Sequence, residues 1–195
     1  MFASGYSLGG NVLLKYLGES GLSTPLAAAT AVCVPLDLYK CAEALNKGIS
    51  KGYQRYLLKY MKAAVARKFD RHTAAFDWQR AMDARTFGEF DDAVTAPLHG
   101  FRGMEDYYDR CSSNRFLSDI AVPTLIVNAV DDPFMTPGVL PHRDRLSDSV
   151  SLEISDTGGH VGFVDGGTPW RPTFYLPGRL VAYLRDQIGT AQPGL

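Results

Sequence analysis

The chain opens with Gly5-Tyr6-Ser7-Leu8-Gly9-Gly10, a Gly-x-Ser-x-Gly motif set between a short apolar run, Met1 to Ser4, and a run of helical character from Asn11 to Gly18. No other feature constrains the fold as strongly. A serine held on a tight strand-to-helix turn has a strained backbone and crowded neighbours, so the spacing predicts that Gly5 and Gly9, two before and two after Ser7, have no room for a Cβ. A helix that starts directly after Ser7 aims its unpaired N–H groups and the positive end of its dipole at the turn. The Leu8 N–H is then a candidate donor to the oxyanion that forms when the Ser7 hydroxyl attacks an acyl carbonyl. The plain alternative is a serine in a glycine-rich turn with no chemistry, and the rest of the chain decides between them.

Two further stretches bear on that choice. Pro123 to Ala129 is a β-branched, apolar run suited to a buried parallel strand, and it ends in Val130-Asp131-Asp132-Pro133-Phe134. Val150 to Ile154 alternates like a strand and leads into Asp156-Thr157-Gly158-Gly159-His160. A carboxylate and an imidazole therefore each follow the C-terminal end of a strand, where open α/β sheets build their sites. Taken singly, Asp-Asp-Pro is a turn and a lone histidine is a surface or core residue. Taken together, three strand-end residues in the order serine, acid, histidine predict a connected proton relay. Asp132 is the leading acid, because a small-x-x-Asp loop with Ala129 in the small position places the working carboxylate there. Asp131 is the reserve, and Asp37, soon after the strand-like run Ala28 to Pro35, is a third candidate. The acid would hold one tautomer of His160, while His160 takes the proton from Ser7 and returns it to a leaving alcohol.

Four blocks in order carry a resemblance: Gly5 to Asn11, Thr95-Ala96-Pro97-Leu98-His99-Gly100-Phe101 with Tyr107-Tyr108 following, Asn128 to Phe134, and Gly158-Gly159-His160-Val161-Gly162-Phe163. Over nearly its whole length the chain resembles the YheT-like branch of the α/β-hydrolases, also called the AB-hydrolase 4 family. The resemblance implies an α/β fold and a carboxylic ester hydrolase acting on short-chain or acylglycerol-like esters. Ser7 would be the nucleophile, Asp132 the acid and His160 the base, with no metal or organic cofactor. The family's pattern also places several strands, and a His-Gly-containing loop that supplies a second oxyanion donor, ahead of the serine. This chain begins inside the nucleophile strand, so the expectation is an incomplete α/β-hydrolase fold whose parallel sheet starts at that strand. The outer edge of the first strand would then be open to self-association. An alternative function follows, a catalytically impaired fragment that acts at most as a binding or interaction module. His99-Gly100 lies after the serine and is expected to be a structural turn.

The retained strands, Met1 to Tyr6, Ala28 to Val34, Pro123 to Ala129 and Ser149 to Ile154, are expected side by side and parallel. Between Asp37 and about Ser118 there is no strand signal, and the stretch is too long for a plain connection. A cap-like helical insertion of about residues 37–118 within a single domain is the expectation. Inside it Tyr53, Tyr56, Leu57, Tyr60, Met61, Ala64, Val65 and Phe69 recur at helical spacing among Lys51, Arg55, Lys59, Lys62 and Lys68. That face either packs on a core or lines an acyl pocket with Phe69, Phe76, Trp78, Phe87 and Phe90, and the basic residues also admit a membrane surface. Toward the end, Pro177 suits a first helical turn, Leu180, Val181, Leu184 and Ile188 supply an apolar face, and the tail from Gly189 is expected to fray.

With 195 residues, 46% of them hydrophobic, the chain can bury a core, and a formal net charge of −1 gives no electrostatic footprint for nucleic acid. No apolar run reaches a membrane span, so the expected partner is a small-molecule ester or lipid-like substrate without stable membrane insertion. Cys33, Cys41 and Cys111 are odd in number and lack Cys-x-x-Cys spacing, which fits reduced thiols and a cytoplasmic setting. His72 and His142 have no metal-ligand spacing with other donors and are expected at the surface.

Overall fold

The computed structural model describes residues 1–190. Four strands, β1 (Phe2–Tyr6), β2 (Ala28–Val32), β3 (Thr124–Ala129) and β4 (Val150–Ser155), form one parallel sheet in the order β1-β2-β3-β4. Every residue of β2 and β3 is buried, whereas the outer strands β1 and β4 are partly exposed. That is why Ala28 to Val32 and Thr124 to Ala129 are mostly apolar and do not alternate, with only Thr30, Thr124 and Asn128 polar among them: a parallel strand covered on both faces has no solvent side to alternate toward. The register sets Tyr6 opposite Val32, Val32 opposite Val127 and Val127 opposite Glu153, so the strands' C-terminal ends come out on one rim. The first crossover is made by α1 (Leu8–Ser20), which buries Gly10, Asn11, Leu14 and Leu17 at helical spacing.

The chain divides into two compact units, one of Met1–Leu36 together with the stretch from Ser112 onward, the other of Asp37–Cys111. The second unit is helical: α2 (Leu38–Leu45), α3 (Ser50–Lys68), α4 (Trp78–Asp83), α5 (Phe87–Phe90), a π-helical turn over Asp91–Thr95, α6 (Ala96–Leu98) and α7 (Met104–Cys111). Asp37, Asp77 and Thr86 cap α2, α4 and α5 by accepting backbone N–H bonds from Lys40, Arg80 and Glu89. Leu58, Val65, Ala81, Phe90 and Val94 are buried in its core, with Phe69, Phe76, Trp78 and Phe87 packed against them. Phe69 meets Phe76 edge-on at 5.4 Å, and Phe76 stacks on Trp78 at 6.2 Å. The aromatic residues considered for an acyl pocket are thus packed about this unit's own core. The inward stripe of α3 also differs from the expected one. Ser50, Gln54, Leu58 and Val65 face in, while Tyr53, Tyr56 and Tyr60 are exposed. Gln54 sets the rotation: its Nε2 donates to Leu45 O at 3.2 Å and Asn46 Oδ1 at 2.9 Å, and its Oε1 accepts from the Phe87 N–H at 2.8 Å. His99 ends α6 and Gly100 follows at φ +74°, a structural turn as expected.

After β4 the chain makes an exposed antiparallel hairpin, β5 (Val164–Thr168) and β6 (Arg171–Phe174), and then α8 (Tyr175–Thr190). The hairpin has no apolar face, and Gly166, Gly167 and Pro172 break any alternation, so the sequence carries no strand signal there. Helix α8 buries Leu176, Leu180 and Tyr183, but Val181 and Ile188 are 56% and 58% exposed, against expectation. The Glu153 carboxylate on β4 explains the rotation. It accepts from Arg179 Nε at 3.0 Å and from Tyr175 Oη at 3.3 Å, turning that side of the helix to the sheet. The helix extends through Gly189 and Thr190, and the rest of the tail expected to fray lies outside the described residues. Among the described residues no helix is long and apolar enough to cross a membrane.

Candidate active site

Ser7 sits between β1 and α1 with φ 49° and ψ −126°. Its N–H donates to Val32 O at 2.8 Å, continuing the strand ladder, while its carbonyl accepts from the Gly10 N–H at 2.9 Å, opening the helix. A Cβ on Gly5 would lie 2.7 Å from both Gly10 Cα and Gly9 O, so the strand and the first helical turn touch there. Gly9 departs from the expectation, since a Cβ there would meet nothing within 4 Å. The second crowded glycine is Gly10, where a Cβ would come 2.7 Å from Val34 Cγ2. The turn folds back on its inner side, which Gly5 and Gly10 face, and leaves Gly9 on the open side. Gly5→Ala should therefore lower the thermal midpoint sharply. Gly9→Ala should hold or raise it, worth about 0.5–1 kcal/mol in a helix, and calorimetry on the two variants checks the ranking. Leu8 is the first residue of α1, so its N–H has no acceptor within the helix.

The structure brings Ser7, Asp132 and His160 together. His160 Nε2 lies 3.0 Å from Ser7 Oγ, and His160 Nδ1 lies 2.8 Å from Asp132 Oδ2. An ionised carboxylate only accepts, so Nδ1 carries the proton and Nε2 accepts from the Ser7 hydroxyl. Asp132 is 3% exposed, and its other oxygen accepts from the Phe134 N–H at 2.9 Å. That local turn fixes the carboxylate and brings the Phe134 ring edge-on to the imidazole, centroids 4.6 Å apart. Asp131 takes a different partner: its Oδ1 accepts from the Gly159 N–H at 2.7 Å and steadies the loop before His160. Asp37 is engaged in capping α2.

Among the described residues the non-glycine positions with positive φ are Ser7 (49°), Cys33 (49°), Val161 (69°) and Phe163 (43°). Ser7 and Cys33 directly follow β1 and β2, and Val161 and Phe163 lie one and three residues after His160. Such backbone costs roughly 1–3 kcal/mol per residue and persists where surrounding contacts impose it. Cys33, which sits in no sequence motif, supplies two of those contacts. Its Sγ accepts from the Val161 N–H at 3.2 Å and donates to Gly159 O at 3.7 Å, gripping the chain on both sides of His160. Cys33 Sγ, an Asp132 oxygen and a His160 nitrogen also lie within 4.8 Å of one another, a set of metal-ligand types. Both ring nitrogens of His160 are engaged by Ser7 and Asp132, the Cys33 thiol is engaged by the Val161 N–H and Gly159 O, and burial pushes that thiol up to about 12, so the group acts here as a hydrogen-bonding clamp. Iodoacetamide should accordingly leave Cys33 unmodified in the folded chain and alkylate it on unfolding, while the half-buried Cys111 reacts in both states. Peptide mass mapping reads the difference.

The comparisons with known proteins agree with this architecture. A model of the alpha/beta hydrolase fold family matches residues 3–167. The chain is 42% identical over 188 residues to YheT of Escherichia coli (strain K12), covering 95% of this chain and 55% of that protein. It is 33% identical over 174 residues to Phospholipase ABHD3 of Mus musculus, covering 88% of this chain and 42% of that one. The chain thus spans about half the length of the curated relatives it matches. Among solved structures, acetyl xylan esterase 1 from Thermoanaerobacterium sp. JW/SL YS485 aligns with a TM-score of 0.50 at 12% identity, over 95% of this chain and 45% of that chain, a likeness of fold alone. With the family model matched across both the Ser7 elbow and the His160 loop, and with a parallel sheet that carries both at one rim, this chain belongs to the α/β-hydrolase fold family and is related to its esterases and lipases.

Proposed function

We propose that the chain is a serine hydrolase that cleaves carboxylic esters, short-chain or acylglycerol-like, through an acyl-enzyme intermediate. The observation that carries the reading is the unbroken run of hydrogen bonds from Ser7 Oγ through His160 to the buried Asp132 carboxylate, at 3.0 Å and 2.8 Å. In the first half-reaction His160 Nε2 takes the Ser7 proton as Oγ bonds to the ester carbon, and the carbonyl electrons move to oxygen. The Leu8 N–H, at the positive end of α1, donates to that oxyanion. Collapse breaks the bond to the alkoxy group, which leaves as the alcohol with the proton from His160. In the second half-reaction water repeats the sequence on the acyl-serine and releases the acid. Asp132 stays ionised throughout and stabilises the imidazolium.

The relatives support the substrate class: one is named a phospholipase, and phospholipids contain acyl esters. Asp37–Cys111 is inserted in sequence between β2 and β3, and we propose that it is a cap-like insertion. The test is pre-steady-state hydrolysis of p-nitrophenyl acetate, butyrate and octanoate beside a monoacylglycerol. The expected result is a nitrophenolate burst equal to the concentration of chain, followed by slower turnover. No burst and no turnover on any ester would leave the binding-module reading in its place.

A further inference from the structure

Every charged residue of α3 is basic: Lys51, Arg55, Lys59, Lys62, Arg67 and Lys68. The whole chain carries a formal charge of −1, so this helix concentrates one sign. Lys51, Arg55 and Lys59 follow one another at i,i+4 and Lys62 at i,i+3, which stacks like charges along one side where they repel. Together with Arg85 they rim a concavity of about 700 Å³ floored by Leu58 and Ala84, lying wholly within Asp37–Cys111. Among the described residues Lys51, Arg55, Lys59 and Arg85 form no ion pair with a carboxylate. Lys62 donates to Met82 O at 2.7 Å and serves the wall. Gln54 braces the concavity by tying α3 to the end of α2 and the start of α5. The scaffold is built, and among the described residues its rim holds like charges whose side chains pair with no carboxylate, the Glu89 carboxylate being taken by the Arg85 backbone N–H at 2.6 Å.

The same helix, together with Ile49 at its N-cap, carries a second exposed stripe. Ile49 is 95% exposed, Tyr56 57% and Tyr60 54%, with Tyr53 beside them at 39%. Their spacing puts them on one side of the helix, across the small residues Gly52 and Ala63 from the cations. Tyr56 and Tyr60 brace each other edge-on at 4.8 Å. A small soluble anion would satisfy the cations but leave Ile49 and the tyrosines in water. An anionic bilayer satisfies both stripes, since its phosphates pair with Lys and Arg while amphipathic rings settle at headgroup level.

We propose that this face of α3 docks on the surface of an anionic phospholipid bilayer, with lipid phosphates at Lys51, Arg55, Lys59 and Arg85 and with Ile49, Tyr56 and Tyr60 seated among the headgroups. The attachment is peripheral, in keeping with the lack of a spanning helix among the described residues. It stands independently of the reaction assigned to Ser7.

Sedimentation with sucrose-loaded vesicles tests it, using the Ser7→Ala chain so that lipid is not consumed. Binding is expected to phosphatidylcholine vesicles doped with phosphatidylglycerol, to weaken as salt rises, and to be far weaker on phosphatidylcholine alone. Each surface cation contributes about fivefold in partitioning, so Arg55→Gln/Lys59→Gln should lose roughly 25-fold. Tyr56→Ser/Tyr60→Ser should also weaken binding, while Lys59→Arg keeps it. These side chains are exposed, and circular dichroism confirms that each variant folds. Equal binding to neutral vesicles, or parental binding by the double glutamine variant, would overturn the proposal. So would complete displacement by soluble glycerol phosphate at matched ionic strength, which would assign the rim to a free phosphate.

Discussion

Replacing Ser7 with alanine is expected to lower ester turnover by about a millionfold, replacing His160 with alanine by a similar factor, and the Ser7→Ala/His160→Ala double variant is expected to lose no more than either alone. The non-additivity is the informative part. Once the hydroxyl is gone the imidazole has no proton to take, and once the imidazole is gone the hydroxyl stays protonated and a poor nucleophile. Two residues that merely shaped a pocket would each subtract their own share and the losses would multiply. Steady-state turnover of p-nitrophenyl butyrate by the three variants, each checked for an unchanged thermal midpoint, measures this. A double variant markedly slower than both singles would argue against a shared relay.

The second large effect separates the two neighbouring carboxylates. Asp132→Asn should reduce turnover by about ten-thousand-fold. An amide that donates toward Nδ1 favours the tautomer with the proton on Nε2, which cannot accept from Ser7, and it offers no charge to an imidazolium. Asp131→Asn keeps an oxygen for the Gly159 N–H, the bond that Asp131 makes, so its effect should remain within a few-fold. The ranking has a structural basis beyond distance. Asp132 is almost wholly buried with one oxygen held by Phe134 N–H and the other by His160, whereas Asp131 is exposed. The opposite ranking would transfer the acid's role to Asp131.

How much of this was legible in the sequence depended on whether a residue's duty was local. Strands β2 and β3 were legible because a doubly covered parallel strand is mostly apolar with no alternation, and the meeting of Ser7, Asp132 and His160 was anticipated because each lies just past the C-terminal end of a strand. The pairing of Gly10 with Gly5 was not. Glycine spacing announces a tight turn, but which glycine faces the opposing backbone depends on the path of α1 and on Val34, which arrives from a distant part of the chain. The same holds for Cys33, whose thiol bonds to residues more than a hundred positions away and bears no motif. On α3 the apolar spacing of the tyrosines suggested an inward face, yet Gln54, a polar residue, sets the rotation through bonds to α2 and α5. Val181 and Ile188 on α8 were misplaced for a similar reason, since the Glu153 carboxylate orients the helix through Arg179 and Tyr175. Pattern reveals that an element is amphipathic; its final rotation is fixed by a few directional polar bonds to partners remote in sequence.

Covalent capture of Ser7 probes the proton relay itself. A fluorophosphonate reacts with a serine whose proton has been drawn off by a neighbouring base, and its phosphonyl oxygen reports on the donor at Leu8. A working relay gives rapid, stoichiometric labelling mapped by mass spectrometry to the Ser7 peptide, with His160→Ala labelling slower by orders of magnitude. Labelling of the parent chain no faster than of His160→Ala, or adduct on a serine other than Ser7, would contradict it.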